Sequence, residues 1–183
     1  PLRQRLARII HDNTRRLNRL VTEVLELGRR DRAQPETLRW QAFLSGFREE
    51  LTLHDASAAR RVQIGGGDVE LRFDRGHLYR VLWNLLGNAL RHASTADGAV
   101  RLEARAAATA NSVELHIIDD GPGVDEALRN QVFEPFFTTH GAGTGLGLYI
   151  ARELCEASGA HLELLDEKPG AHFRITAEGI ACR

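Results

Sequence analysis

A segment of alternating glycines directly ahead of an apolar helical pattern constrains this chain more than any other feature. The glycines are Gly141, Gly143, Gly145 and Gly147, and the apolar pattern of LGLYIARELCEA follows without a break. Glycine tolerates positive φ, so successive amide N–H groups can turn inward as a nest for an anion, beside the positive end of the helix. The spacing does not fit the dinucleotide fingerprint, because Leu146 stands where the third glycine belongs. A flexible linker is the alternative, but a linker does not run straight into an apolar helix, so the segment predicts a phosphate-binding loop.

The composition is that of a globular protein and excludes several classes of function. Of the 183 residues, 43% are hydrophobic and 27% charged, and the net charge of −1 gives no overall bias towards nucleic acid. Lys168 is the only lysine, and no Gly-Lys-Ser/Thr occurs, so a P-loop is excluded. Cys155 and Cys182 have no metal spacing and are expected to be reduced thiols in the cytoplasm. No apolar run is long enough for a membrane span, and the lack of methionine leads us to expect a piece of a longer chain.

The first thirty residues predict one long helix with a heptad seam. The seam steps by four and three residues and has one polar member, of the kind that fixes register: Leu6, Ile10, Asn13, Leu17, Leu20, Val24 and Leu27. Gly28 and Pro35 are expected to end it. The arginines of this helix favour a solvated face over a nucleic-acid patch, since no aromatic residues alternate with them. A helix of this kind needs a partner helix, which we expect from a second copy or from a helix upstream of this sequence.

The remaining sequence predicts an α+β fold, a two-layer sandwich with a mixed sheet and helices on one face. Helices are expected over WQAFLSGFREELTLHD and RGHLYRVLWNLLGNALRHA, the second capped by Asp74. The strands RVQIGG and VELRFD are expected to be joined by a turn at Gly65 to Gly67. Two further hairpins are expected, one around TAN and one around EKPG. We expect one domain over residues 1–33 and a second over residues 34–183.

Two asparagines lie four residues apart on the second of these helices. Asn84 and Asn88 share a face that is opposite to Leu82, Leu85 and Leu86. Asparagine is a poor helix former, so the pair suggests a polar task, such as completing the ligand shell of a Mg²⁺ bound to phosphates and waters. Arg91 and His92 follow, a cation and a ring suited to phosphate and base. The alternative is that both amides are simply exposed to solvent.

The sequence IIDDGPGV places two carboxylates at the end of an apolar strand, before Gly-x-Gly. An Asp at a strand end can accept a hydrogen bond from an exocyclic amine such as N6 of adenine, and the glycines allow a purine ring to approach. The alternative is an ordinary surface turn, because Asp-Gly and Pro-Gly are common turn formers.

The sequence VFEPFFTTHGAG carries three phenylalanines within five positions of a segment that is otherwise polar and rich in glycine. A mobile loop needs an apolar anchor in order to close over a ligand. A core cluster beneath the loop is the equally acceptable alternative.

Taken together, NLLGNALRHA, DDGPG, FEPFFTT and GTGLGL resemble the N, G1, F and G2 boxes of the ATP-binding domain of sensor histidine kinases. The resemblance covers about residues 38–177, and the set of four boxes in one order is highly specific. The N-terminal seam resembles the second helix of the dimerisation and phosphotransfer domain of this family. The run from FFTTHGAG to LCEASGA is most similar to the NtrB and PilS branch, whose partners are response regulators.

The resemblance implies a role for each matching position. Asn88 would ligate Mg²⁺, with Asn84 beside it. Arg91 would contact the phosphates. His92 would line the nucleotide, and Asp119 would bind N6 of adenine. Phe133, Phe136 and Phe137 would anchor the lid. The remaining nucleotide-binding positions would be Gly121, Gly123, Val124, Thr138, Gly143, Thr144, Gly145, Leu146, Gly147 and Leu148. His140 departs from the Lys or Arg that is common near its position.

The resemblance also implies the reaction: Mg·ATP would donate its γ-phosphate to a histidine on a dimerisation helix, for relay to an Asp of a response regulator. The family's phosphoacceptor motif does not occur here, and His11 falls beside the seam of what resembles the second helix, so the acceptor is expected outside this chain. The implied partners are the regulator and a second copy, with membrane contact only through other regions. Two alternatives are a hydrolase, disfavoured because Asn84 replaces the general-base Glu of related hydrolases, and a catalytically inactive nucleotide sensor.

Overall fold

The computed structural model describes residues 2–28, 30–139, 143–166 and 169–182. Seven strands form one sheet: β1 (Glu36–Arg39), β2 (Val62–Gly66), β3 (Val69–Phe73), β4 (Val100–Ala106), β5 (Ser112–Asp119), β6 (His161–Leu165) and β7 (His172–Ala181). The order is β1-β3-β7-β5-β4-β2, and β6 pairs with β7 beside β3. Among the strand pairs of the described residues, β2 with β4 is the one parallel pair, so the sheet is mixed.

The helices pack on one face of this sheet. They are α2 (Trp40–His54), α3 (Ala56–Arg61), α4 (Arg75–His92) and α5 (Gly147–Ala157), while the N-terminal helix α1 (Leu2–Leu27) packs against α5. Along β5, Val113, Leu115 and Ile117 face the helices and are fully buried, as the period-two alternation of a strand requires. The predicted two-layer α+β sandwich is therefore confirmed.

Helix α4 is defined by its N-cap and by its apolar face. The Asp74 carboxylate accepts the N–H of His77 at 2.9 Å, which is the predicted N-cap. One face of the helix is buried in the core through Leu78, Leu82 and Leu85. This packing stabilises a helix whose opposite face contains two asparagines and a glycine, residues with poor helix propensity.

The expected hairpin of β2 with β3 is wrong, although both strands exist. β2 pairs with β4, and β3 pairs with β1 and β7. Gly66 explains the difference: its φ is +102°, and a side chain there would overlap the backbone of Ala104 on β4. The N–H of Gly67 donates to the carbonyl of Ala104 at 2.8 Å, so the glycines lie along β4 instead of folding β3 back onto β2. The structure also contains β1 and α3, which the sequence patterns did not predict. The hairpins of β4 with β5 and of β6 with β7 are confirmed.

The long N-terminal helix ends where expected, at Leu27, with the N–H of Gly28 donating to the carbonyl of Val24 at 3.3 Å. Its seam residues Leu6, Ile10, Leu17 and Val24 are 50–65% exposed, while Leu20 packs against the core. The side chain of Leu27 lies outside the described residues. Just beyond α1, Arg30 pairs with Glu153 of α5. Within the described part of the chain, no helix has the length and apolarity needed to cross a membrane.

The account of β2 predicts different effects for two adjacent glycine substitutions. Gly66→Ala would force a side chain into the Ala104 backbone at positive φ, and should lower the free energy of unfolding by roughly 2–4 kcal/mol. Gly65→Ala is the matched control, since a Cβ there meets nothing within 4 Å, and should change stability by at most about 0.5 kcal/mol. Urea denaturation of both variants measures the difference, and equal losses would contradict this account of β2.

Candidate functional site

A cavity of about 580 Å³ lies between α4, the end of β5, the start of β7 and the segment that leads into α5. Fourteen of the eighteen residues with a predicted role line it: Asn84, Asn88, Arg91, His92, Asp119, Gly123, Val124, Phe137, Thr138, Gly143, Thr144, Gly145, Gly147 and Leu148. Four stretches that are distant in sequence therefore meet around one space. The other four, Gly121, Phe133, Phe136 and Leu146, do not line it and are described below.

The wall formed by α4 is the polar face of that helix. Asn84 and Asn88 are both half-buried there, while Leu85 and Leu86 between them are fully buried in the core. The Nδ2 atom of Asn84 is buried and has no hydrogen-bond partner among the described residues. Its Oδ1 atom lies 3.7 Å from the position that a Cβ of Gly147 would take, so the amide faces the beginning of α5. A buried amide donor without a partner is costly, so packing alone does not account for an asparagine at this position.

The two carboxylates after β5 have separate environments. Asp119 is 3% exposed, and its Oδ1 accepts the N–H groups of Gly121 at 2.9 Å and Ala171 at 3.1 Å. Asp120 is exposed and accepts the hydroxyl and N–H of Ser94, at 2.6 and 2.8 Å. These hydrogen bonds hold the pKa of Asp120 below its usual value. Asp119 thus lines the cavity, and Asp120 anchors the chain just after α4.

Glycines let the backbone close tightly around Asp119. Gly170 has φ +85°, and a side chain there would overlap the carbonyl of Asp119. Gly123 has φ +78°, and its Cβ would lie 3.0 Å from the carbonyl of Gly170. Gly121 lies behind the cavity, where a Cβ would be 2.7 Å from the carbonyl of His92. Gly121 therefore shapes the site through close packing and lies outside the lining.

The three phenylalanines of the predicted lid have three different environments. Phe133 is buried, packs edge-on against Phe173 with ring centroids 6.2 Å apart, and carries the guanidinium of Arg152 over its ring. Phe137 is half-buried and lines the cavity. Phe136 is 70% exposed with φ +66°. A side chain at Gly145 would overlap the Phe136 backbone, so this backbone, and not its ring, lies against the glycine-rich segment.

The glycine-rich segment turns into α5 at the edge of the cavity. Gly145 has φ +74°, and Leu146, the cap of α5, is 2% exposed and belongs to the core. Buried Leu146 fixes the start of the helix, while the residues on either side of it line the cavity. The first N–H groups of a helix form a favourable site for an anion. His140 and Gly141 lie outside the described residues.

The donor set fits a magnesium ion that takes most of its ligands from a phosphate. Among the described residues, no group of three or more His, Cys, Asp or Glu could hold a metal by itself. The cavity instead offers amide oxygens of Asn84 and Asn88 beside a glycine-lined helix start. Mg²⁺ is commonly held in this way, by few protein ligands together with phosphate and water oxygens.

Several lining residues are not among the site residues that the sequence predicts. They are Glu23 of α1, Trp83 and Gly87 of α4, Pro122, Asp125, Leu128, Val132 and Thr139 of the connecting segments, Ala171 just before β7, and Phe173 of β7. The sequence predicts Gly170 only as part of the hairpin turn around EKPG. In the structure, its close contact with the carbonyl of Asp119 leaves no room for a side chain at this position. Gly87, Pro122 and Thr139 lie inside the matched motifs and Trp83 lies next to one, so their positions in the sequence could have identified them. Glu23 and the β7 residues reach the cavity only through tertiary packing.

The arrangement agrees with comparisons to known proteins. Residues 73–178 match the model of the family described as histidine kinase-, DNA gyrase B- and HSP90-like ATPases. This match spans more than half of the chain and all four motifs. The chain belongs to this family. This match, together with the relatives described next, confirms the resemblance to sensor histidine kinases.

The chain is similar in sequence to several sensor kinases. It is 41% identical over 178 residues to the sensor protein kinase PilS of Pseudomonas aeruginosa, covering 94% of this chain and 33% of PilS. It is 30% identical to the sensor histidine kinase ZraS of Salmonella typhimurium, covering 96% of this chain and 38% of ZraS. A crystal structure of full-length ShkA in complex with AMPPNP superposes with a TM-score of 0.72 at 27% identity, covering 91% of this chain and 36% of ShkA. The chain spans between a third and two fifths of these proteins.

The close packing around Asp119 predicts that Gly170 cannot be replaced. Gly170→Ala should lower the free energy of unfolding by several kcal/mol, because the new methyl group overlaps the Asp119 carbonyl in addition to the cost of positive φ. Gly159→Ala isolates the cost of positive φ, since Gly159 has φ +75° and a Cβ there meets nothing within 4 Å. This variant should lower the free energy of unfolding by about 1 kcal/mol. Urea denaturation compares the two, and a Gly170 variant no less stable than the Gly159 variant would argue against the contact.

Proposed function

We propose that this chain is the catalytic ATP-binding region of a sensor histidine kinase. It binds Mg·ATP and presents the γ-phosphate to a histidine on a dimerisation helix, for relay to an Asp of a response regulator. The observation that carries the proposal is the convergence of Asn84 and Asn88, Asp119 and the glycine-rich segment around one cavity. The complex of ShkA with AMPPNP supports it, because that protein shares the fold and 27% of the matched residues.

The adenine end of the nucleotide belongs at Asp119. Its Oδ1 atom is engaged by two backbone N–H groups, which fix the carboxylate and orient Oδ2 for a donor such as the N6 amine. Gly123 and Val124 line the same end of the cavity. A charge-assisted hydrogen bond from N6 in a largely buried site would favour adenine over guanine, which has a carbonyl oxygen at that position.

The phosphate end belongs between α4 and the start of α5. The N–H groups near Gly145 and Gly147 would hold phosphate oxygens, with Arg91 adding positive charge. Asn88, with Asn84 beside it, would hold a Mg²⁺ that neutralises charge on the phosphates. Phosphoryl transfer needs mainly such positioning and charge neutralisation, and the acceptor imidazole is already a nucleophile.

The acceptor histidine is proposed to lie outside this chain. His11 is exposed on α1, twelve residues before Glu23, which lines the cavity. At a rise of about 1.5 Å per residue, His11 is about 18 Å from Glu23 along the helix. The exposed seam of α1 is proposed to pair with a second copy, so that residues 1–33 form part of a dimerisation domain and residues 34–183 the catalytic domain.

ATP hydrolysis is a second candidate, favoured by one observation. The amide of Asn84 cannot take a proton from water, but the carboxylate of Glu23 lines the same cavity. If α1 stays in this position, Glu23 could act as a base for water. Phosphate release by the wild-type chain and by a Glu23→Gln variant tests this candidate directly.

Transfer in trans tests the kinase proposal. The chain is mixed with radiolabelled Mg·ATP and a full-length kinase that contains this sequence and carries Asn88→Asp. Only the added chain can then supply catalysis. Label on the full-length protein, with little on the chain and little free phosphate, is the expected result. Label on the chain itself would show that an acceptor histidine lies within it, with His11 as the first candidate, and steady phosphate release would favour the hydrolase. ATP binding without any transfer would favour a nucleotide sensor.

The two neighbouring carboxylates offer a matched pair of variants for nucleotide binding. Asp119→Asn should weaken ATP binding roughly 10- to 100-fold, because an amide that keeps its oxygen on the N–H groups of Gly121 and Ala171 presents NH₂ to the N6 amine. Asp120→Asn should change the Kd less than about threefold, since Asp120 bonds to Ser94. Calorimetric titration with ATP measures both, and equal effects would remove Asp119 from adenine recognition.

A further inference from the structure

Arg61 binds the backbone at the end of α4. It is the last residue of α3, and its half-buried side chain donates three hydrogen bonds to that backbone. Nη2 donates to the carbonyls of Leu90 and Ala93 at 2.7 and 3.1 Å, and Nε donates to the carbonyl of Ser94 at 3.1 Å. The last carbonyls of a helix have no donor within the helix, so a cation that donates to them stabilises the helix end.

The helix itself does not supply a donor for the carbonyl of Leu90. In a continuing helix the N–H of Ser94, four residues on, would bond to this carbonyl. Here that N–H donates to Oδ1 of Asp120 at 2.8 Å, and the Ser94 hydroxyl donates to the other oxygen of Asp120 at 2.6 Å. Asp120 therefore ends the helix by binding Ser94, and Arg61 replaces the missing donor.

The carbonyls that Arg61 binds flank two residues of the cavity. Leu90 directly precedes Arg91, and Ala93 directly follows His92. Arg91 and His92 both line the cavity, whereas Arg61 does not. Arg61 thus fixes the backbone on both sides of these two residues without contacting the space that they line.

The last turn of a helix is the part that opens most easily, because few contacts hold it. Arg91 is exposed in that turn, so the position of its guanidinium depends on the position of the backbone that carries it. Without Arg61, the carbonyl of Leu90 would lose the donor that replaces the N–H of Ser94. Opening of this turn would move Arg91 away from the cavity.

We propose that Arg61 is a positioning residue, which holds Arg91 where its guanidinium can contact the phosphates of a bound nucleotide. The proposal rests on the proposed function of the cavity. Arg61 lies in none of the four motifs and is remote in sequence from Arg91. Its contribution to affinity is made through Arg91, so it should disappear when Arg91 is absent.

A double-mutant cycle on the Kd for Mg·ADP tests this dependence. Arg91→Ala should weaken binding roughly tenfold in the wild type, because a charge-assisted contact to phosphate is lost. In an Arg61→Ala background the same change should weaken binding less than about twofold, since Arg91 is no longer held in place. Arg60→Ala is the matched control, because Arg60 is the exposed neighbour on α3, and the effect of Arg91→Ala should stay roughly tenfold there.

An equal effect of Arg91→Ala in all three backgrounds would overturn the proposal, since Arg61 would then support only the fold. If Arg61→Ala does not fold, the same cycle is run with Arg61→Met. Methionine keeps an unbranched apolar stem and a high helix propensity but has no hydrogen-bond donor. The effect of Arg91→Ala should again be less than about twofold, and a tenfold effect would overturn the proposal.

A second measurement needs no nucleotide. Hydrogen exchange compares the amide of Ala93, which donates to the carbonyl of Ala89 at the end of α4, with that of Leu78, which donates to the carbonyl of Asp74 at its start. In the Arg61 variant, Ala93 should exchange at least roughly tenfold faster and Leu78 at an unchanged rate. Equal acceleration at both ends, or none at Ala93, would overturn the claim that Arg61 holds the last turn. Absence of Mg·ADP binding by the wild type, with acceleration confined to Ala93, would instead count against the function proposed for the cavity.

Discussion

The antiparallel pairing of β5 with β7 is the contact on which the rest of the site depends. It runs from Ser112 opposite Glu178 to Ile118 opposite His172, and the backbone of Asp119 then bonds to Ala171. Just before β7, the backbone at position 170 lies so close to the carbonyl of Asp119 that only glycine fits there. The pair places Asp119 at one end of the cavity and the ring of Phe173 in its wall. It also brings His116 and His172 together on the opposite face.

The second determinant is the division of α4 into a packing face and a binding face. The packing face is fully buried through residues such as Leu82 and Leu85, and it stabilises the helix. The binding face carries Asn84, Gly87 and Asn88, which are all poor helix formers. A Cβ at Gly87 would meet nothing within 4 Å, so protein packing does not require glycine there. In the middle of α4, residues of low helix propensity therefore lie on the side that faces the cavity, as is common at functional sites.

Local chemistry made much of this structure predictable. The cap at Asp74, the opposed apolar and polar faces of α4 and the strand that ends at Asp119 each depend on neighbours in sequence, and the structure has them as expected. What failed depends on long-range contacts. The glycines after β2 predicted a hairpin because their partner, the backbone of Ala104, is remote in sequence. Glu23 reaches the cavity because α1 packs against α5, and no motif predicts that. The clustering of apolar phenylalanines could not show that Phe136 would contribute its backbone and expose its ring.

The central claim is that one cavity holds adenine at Asp119 and phosphates at the start of α5. A crystal structure of the chain with Mg²⁺ and a non-hydrolysable ATP analogue tests it most directly. The account predicts the N6 amine within hydrogen-bond distance of Oδ2 of Asp119, and phosphate oxygens on the N–H groups around Gly145 and Gly147. A nucleotide bound in the reverse orientation, or outside the space between α4 and β7, would contradict it.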